Sequence, residues 1–130
     1  MAIHQSGKKK LNMREDLRRS VLRNQAATFI KYGFLQSTRA RVKEVQRMVE
    51  KLVTVAREKQ DYNAIRRVRQ ALPYDLAVVK KLVYELAPKY AARPGGYTRV
   101  LLLGTRTSDT AKLARLEWVP AVTASEDQAN

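Results

Sequence analysis

The chain has 130 residues, 45% of them hydrophobic, and carries 26 Lys and Arg against 12 Asp and Glu, a formal net charge of +14. That length and apolar content fit one domain with a modest core and argue against full disorder. The absence of cysteine excludes disulfides and thiolate sites, no apolar run approaches the ~20 residues of a membrane span, and the opening residues lack the apolar stretch of a secretory signal, so a cytoplasmic protein is expected.

Residues 1–12 read as a basic tail containing Ser6-Gly7-Lys8-Lys9-Lys10, without periodicity. The first helix is predicted over Met13–Tyr32. Asn12 would cap it with Glu15 closing a capping box, and Leu17, Val21, Leu22, Phe29 and Ile30 would form its buried stripe. Arg14 with Arg18, and Arg19 with Arg23, sit four apart and project in pairs. Gly33 supplies a left-handed stop. Phe34 to Ser37 reads as a short strand. Ser37 or Thr38 then caps a second helix, Arg39–Lys59, with Val45, Met48, Val49, Leu52, Val53 and Ala56 inward.

Asp61 is expected to cap a third helix ending near Leu72, with Ile65, Val68 and Leu72 inward and Arg66, Arg67 and Arg69 outward; Pro73 would end it. A fourth helix, Asp75 to Leu86, would bury Leu76, Val79, Leu82, Val83 and Leu86 and stop at Pro88. Arg93-Pro94-Gly95-Gly96 is a loop signal. Tyr97–Leu103 and Leu113–Val119 read as a hairpin around a polar turn, Gly104–Thr110, with Ala114, Leu116 and Trp118 on one face. The sum is an α+β domain over residues 13–119, about four helices backing a small sheet on one side in two layers, with residues 120–130 a flexible tail.

Enzyme chemistry finds few groups to use. The only histidine, His4, lies in the tail, and the carboxylates are scattered among bases on helical faces. Gly95-Gly96 lacks the spacing of a nucleotide-binding turn. No catalytic residue, metal site, cofactor or small-molecule substrate is expected. The charge is informative instead. Residues 1–43 hold eleven basic residues against Glu15 and Asp16 alone. Such an excess repels itself unless a polyanion neutralises it, and nucleic acid is the expected partner.

Candidate contacts are Lys8, Lys9 and Lys10 in the tail, Arg14, Arg18, Arg19 and Arg23 on the first helix, Arg39 on the second, and Arg93, Arg99 and Arg106 around the hairpin. Tyr97 is a candidate base-stacking ring. A helix-turn-helix reading of Ile65 to Leu86, which would make this a DNA-binding or nucleoid protein, places Asp75 where a phosphate should sit. Folded RNA is favoured over duplex DNA. A membrane surface would need a large apolar helical face beside the charge, and no membrane partner is expected.

Ala87-Pro88-Lys89-Tyr90, Arg93, Gly95-Gly96-Tyr97-Thr98-Arg99-Val100-Leu101 and Leu103-Gly104-Thr105-Arg106 together resemble the signature of the bacterial-type large-subunit ribosomal protein L-seventeen family. Further agreement lies at Ser6 to Leu11, Arg23-Asn24, Thr38 to Ala40, Lys43-Glu44, Glu50 to Thr54 and Leu116-Glu117, so that the resemblance spans residues 4–119. The family's pattern differs at Ala2 to Gln5, at Leu17 where it has a histidine, and at Ser108 in the turn. The resemblance implies a small three-stranded mixed sheet and a non-enzymatic structural role in the large subunit, in a cytoplasmic or organellar ribosome. It implies ribosomal RNA and neighbouring ribosomal proteins as partners, with Ser6, Gly7, Lys8, Lys9, Lys10, Arg18, Arg23, Arg93, Arg99 and Arg106 as contacts.

Overall fold

The computed structural model describes residue 11 and residues 13–58, 62–72 and 75–120. Helix α1 spans Glu15–Tyr32, two residues later than its expected start. Asn12 lies outside the described residues. Arg14 takes the cap position with extended backbone and no side-chain bond, and Glu15 turns forward to Arg19 rather than back to close a capping box. Glu15 and Asp16 still sit at the positive end of the helix dipole. At the other end Gly33 adopts φ 87° and donates its N–H to Phe29 O at 2.8 Å. That left-handed turn, costly for any residue with a Cβ, sends the chain straight into β1, Phe34–Thr38.

Helix α2, Arg39–Glu58, is the element on which the others pack. Val42, Val45, Val49, Leu52, Val53 and Ala56 recur at helical spacing and are buried, with Met48 partly buried against them. Helix α3 follows over Tyr62–Ala71, burying Ala64 and Val68 and partly Ile65, with Leu72 buried just beyond. Its expected cap, Asp61, and its expected stop, Pro73, lie outside the described residues.

The fourth helix is continuous but changes pitch: α4, Leu76–Lys80, then a π-type turn, Lys81–Leu86, then α5, Ala87–Lys89. Asp75 caps it, its carboxylate accepting from Val78 N at 3.2 Å. Pro88 therefore does not end the helix at Leu86. A proline has no N–H to offer the carbonyl four residues back and its ring collides with it. Here Ala87 N–H already reaches Leu82 O, five residues back, and the wider turn admits the ring.

Strands β2, Thr98–Thr105, and β3, Lys112–Trp118, form the hairpin. The sheet order is β1-β3-β2. Both pairings are antiparallel, so the sheet is not mixed. β1 and β2 run the same way, but β3 lies between them and opposes both. The register places Leu35 and Val100 on either side of Leu116, and this face lies on the helical layer. A bulge between Leu102 and Gly104, where Gly104 takes φ 106°, twists the outer part of the hairpin. Along this outer part Leu101, Leu102 and Leu103 are exposed, Leu102 to 67%, on a sheet edge.

An aromatic chain joins the layers. Phe29 of α1 stacks on Trp118 of β3 at 4.7 Å, Trp118 on Tyr90 at 5.8 Å, and Tyr90 meets Tyr97 edge-on at 5.6 Å. Burial raises the Tyr90 phenol above its ordinary range, Arg93 opposing that shift and Glu50 adding to it; its hydroxyl donates to Val119 O.

Two expected core positions are misplaced. Leu17 is 47% exposed because the first two turns of α1 are exposed nearly all round, and Leu76 is exposed at the first turn of α4. Ala26 and Val78 are buried in those helices instead. Leu52→Ala is expected to cost on the order of 2–5 kcal/mol in chemical denaturation, and Leu17→Ala no more than about 0.5 kcal/mol. Equal costs would mean that α1 is rotated from this orientation.

Glu50, facing the sheet from the middle of α2, closes the fold. Its carboxylate accepts from Tyr97 N at 3.2 Å, Thr98 N at 3.0 Å and Thr98 Oγ1 at 2.7 Å. Three donors at the head of β2 are thus satisfied by one charge, and bonds to a charged group are the stronger kind. Glu50→Gln replaces one acceptor oxygen by an amide that faces donors. A loss of about 1–3 kcal/mol is expected, with faster amide exchange at Tyr97 and Thr98; unchanged exchange would show that other contacts hold the strand.

Candidate nucleic-acid interface

The arginines of α1 do not form one face. Arg18 and Arg19 line a groove against α2 with Leu22, Arg47 and Lys51, about 290 Å³ in volume. Arg23 turns into a separate cleft of about 380 Å³ with Asn24, Lys31 and Tyr32, closed on the far side by Leu72 and Asp75. Arg14 lies 3.8 Å from Asp16, and Arg19 donates to Glu15 at 3.1 Å. Both pairs are exposed, and such pairs contribute at most about 1 kcal/mol, so a phosphate could displace either carboxylate.

Arg39 stands in the groove where bases most outnumber acids. With Lys43 and Arg47 one and two turns further along α2, and Lys112 from the start of β3, it lines an open groove of about 750 Å³. Glu44 is the one acid there, and it is buried and paired with Arg47 at 3.8 Å. Lys43 was legible from its spacing to Arg39. Lys112 was not, because only the pairing of β1 with β3 brings it alongside.

The hairpin candidates are dispersed. Arg99 and Arg106 lie seven residues apart on β2 and just beyond it, roughly 24 Å at strand rise. Arg99 pairs with Glu117 at 3.2 Å on the outer face of the sheet, beside Arg115, whose guanidinium lies 4.4 Å from the centre of the Phe34 ring. Arg93 is half-buried, and its carbonyl accepts from Arg57. Tyr97 cannot stack on a base. It is fully buried against Tyr90, its hydroxyl 3.2 Å from Thr54 Oγ1 and the Arg57 guanidinium 6.0 Å from its ring centre. An aromatic at the head of a strand has gone to the core. Ser6, Gly7, Lys8, Lys9 and Lys10 lie outside the described residues.

Arg106 shapes the hairpin tip. Its Nε and Nη2 donate to the two oxygens of Asp109 at 2.9 and 2.5 Å, and Asp109 also accepts from Ala111 N at 3.1 Å. These bonds hold Thr110 at φ 55°, and Arg106 N reaches Ala111 O at 2.8 Å. The Arg106 bonds, with the Ala111 N–H second, lower the Asp109 carboxyl from 3.8 to about 2. A depressed carboxyl stabilises the loop fully above its ordinary value and loses that effect as pH falls toward 2. An NMR titration of Asp109 is expected to show its midpoint near 2; a midpoint in the ordinary range would show that the pair is open in solution.

Among the described residues, no three metal-ligating side chains come together, and no helix is long and apolar enough to cross a membrane. Asp75, capping α4, puts a carboxylate where a helix-turn-helix would meet phosphate.

The family profile described as Ribosomal protein L17 matches residues 21–119, from the middle of α1 to the end of the hairpin. The chain belongs to the ribosomal protein L17 family. Proteins named large ribosomal subunit protein bL17 from Thermoanaerobacter sp. (strain X514) and from Thermoanaerobacter pseudethanolicus are each 48% identical to it over 115 residues, covering 87% of this chain and 99% of theirs. L17 proteins are structural ribosomal components and not enzymes. The profile match takes in Arg23, Arg39, Arg93, Arg99 and Arg106 and begins after Arg14, Arg18 and Arg19.

Proposed function

We propose that this chain is a structural constituent of the large ribosomal subunit that binds and stabilises ribosomal RNA, in a cytoplasmic ribosome, beside other large-subunit proteins. The observation that carries the reading is the 48% identity, over nearly the full length of the relatives, to proteins named for that subunit. The charge supports it: an excess of +14 with a basic groove around Arg39, Lys43 and Lys112 suits phosphates that crowd from several directions. Binding would proceed by release of counterions and by charge-assisted hydrogen bonds from Arg and Lys.

In this reading Lys8, Lys9 and Lys10, with Ser6 and Gly7, enter an RNA crevice, while Arg14, Arg18, Arg19, Arg23 and Arg39 meet phosphates along α1 and the start of α2. Arg93, Arg99 and Arg106 contribute from the hairpin, where Arg106 also holds the loop. The alternative of a DNA-binding or nucleoid protein loses support from Asp75 at the head of α4.

The tagged protein is expected to co-sediment with the large subunit after a high-salt wash. Replacing Lys8, Lys9 and Lys10 together by alanine is expected to weaken binding to ribosomal RNA and to flatten its salt dependence by about 0.7–0.9 in slope for each phosphate no longer neutralised. An unchanged slope would remove the tail from the interface, and absence from purified subunits would overturn the reading as a whole.

A further inference from the structure

We infer that the outer face of α3 is a second RNA-contacting surface, with Arg66, Arg67 and Arg69 meeting phosphates and Tyr62 offering a ring for an unpaired base. The inference rests on the ribosomal RNA reading above and adds to it a helix distant in sequence from the basic N-terminal third.

Four observations carry it. First, α3 has the sequence Tyr-Asn-Ala-Ile-Arg-Arg-Val-Arg-Gln-Ala and holds no acid. Second, its three arginines are exposed and take part in no ion pair among the described residues. By contrast Arg14, Arg19, Arg99 and Arg106 each stand against a carboxylate. Arg66 and Arg69, one turn apart, repel each other, and an external anion relieves that.

Third, Tyr62, Arg66 and Arg69 are spaced four and three apart, which sets them in one line along the helix, and together with Ile65 and Gln70 they line one shallow groove. Fourth, Tyr62 is 76% exposed, the most exposed large apolar side chain among the described residues. It packs against no other ring and no cation among those residues.

Arginine forks onto phosphate and lies flat on bases, and an aromatic among such cations is the usual platform for single-stranded nucleic acid. An acidic protein surface would engage both the arginines and the ring, since Tyr and Arg anchor protein interfaces too; the acid-free helix and the formal charge of +14 favour phosphates. The exposed face offers Tyr62, Asn63, Arg66, Arg67, Arg69 and Gln70, with half-buried Ile65 in the groove beside them, a polar and cationic set without the apolar centre of a protein interface.

The test uses the full chain and purified large-subunit ribosomal RNA, with affinity followed against salt. Gln has nearly the helix propensity of Arg, so Arg66→Gln, Arg67→Gln and Arg69→Gln combined should fold, which a melting curve checks. This variant is expected to bind more weakly, with a salt slope shallower by about 2. The corresponding triple Lys variant should keep the slope. Tyr62→Ala should lose roughly tenfold in affinity with its slope intact.

Should wild-type protein fail to bind this RNA, the ribosomal reading itself falls. Should wild type bind and the Gln and Tyr62 variants match it in affinity and slope, α3 is no RNA surface and the broader reading stands. A Gln variant that binds naked RNA normally yet drops out of reconstituted subunits would assign α3 to an acidic protein neighbour and overturn the inference. If the Gln variant melts early, Tyr62→Ala decides the matter: a loss of affinity with the slope intact supports the inference and wild-type affinity overturns it.

Discussion

Midway along α2, one carboxylate takes three hydrogen bonds from the residues that open β2, and the geometry of the molecule follows from that clasp. Glu50 fixes where the hairpin leaves the helical layer. Tyr97, immediately before the strand, is thereby driven into the core, where it meets Tyr90 and through it Trp118 and Phe29. With β2 anchored at its head, β3 folds back beside it and presents Leu116 to the helices, and β1 completes the sheet on the free side of β3. A charged group facing the core is tolerable because donors surround it.

That arrangement sorts the cations into two kinds. On the first turns of α1, on the outer face of the sheet and at the hairpin tip, arginines stand against acids and help to shape the protein. Around the start of α2 and along α3 they stand largely without them. Sequence density alone points to the amino-terminal third. Once paired charges are discounted, the positive surface extends beyond that third to the start of β3 and to α3.

The amphipathic helices were legible because their apolar residues recur at 3.6-residue spacing: Val45, Val49, Leu52 and Val53 could face only one way. Gly33 and the alternation through Ala114, Leu116 and Trp118 were equally plain. Leu17 was misread because one leucine on a basic helix carries no information about whether a neighbour covers it. Pro88 was misread because a proline announces a missing donor, and the turn that accommodates it is set by packing on both sides. The sheet's antiparallel order depends on which edge of the hairpin receives β1, a tertiary choice without local signal. Of the candidate site, the identity of the cations was readable, but their partners were not: Arg106 with Asp109 needs the loop closed, and Lys112 beside Arg39 needs the sheet assembled.

The outer half of the hairpin has a consequence for the protein before it finds its place. Leu101, Leu102 and Leu103 lie on an edge strand whose free backbone groups invite another strand to pair up to the bulge between Leu102 and Gly104. A pool of unassembled copies would tend to stick to itself. Its solubility would then depend on supply being matched to the sites awaiting it, so that overproduction, more than any loss of activity, is the condition the cell must avoid.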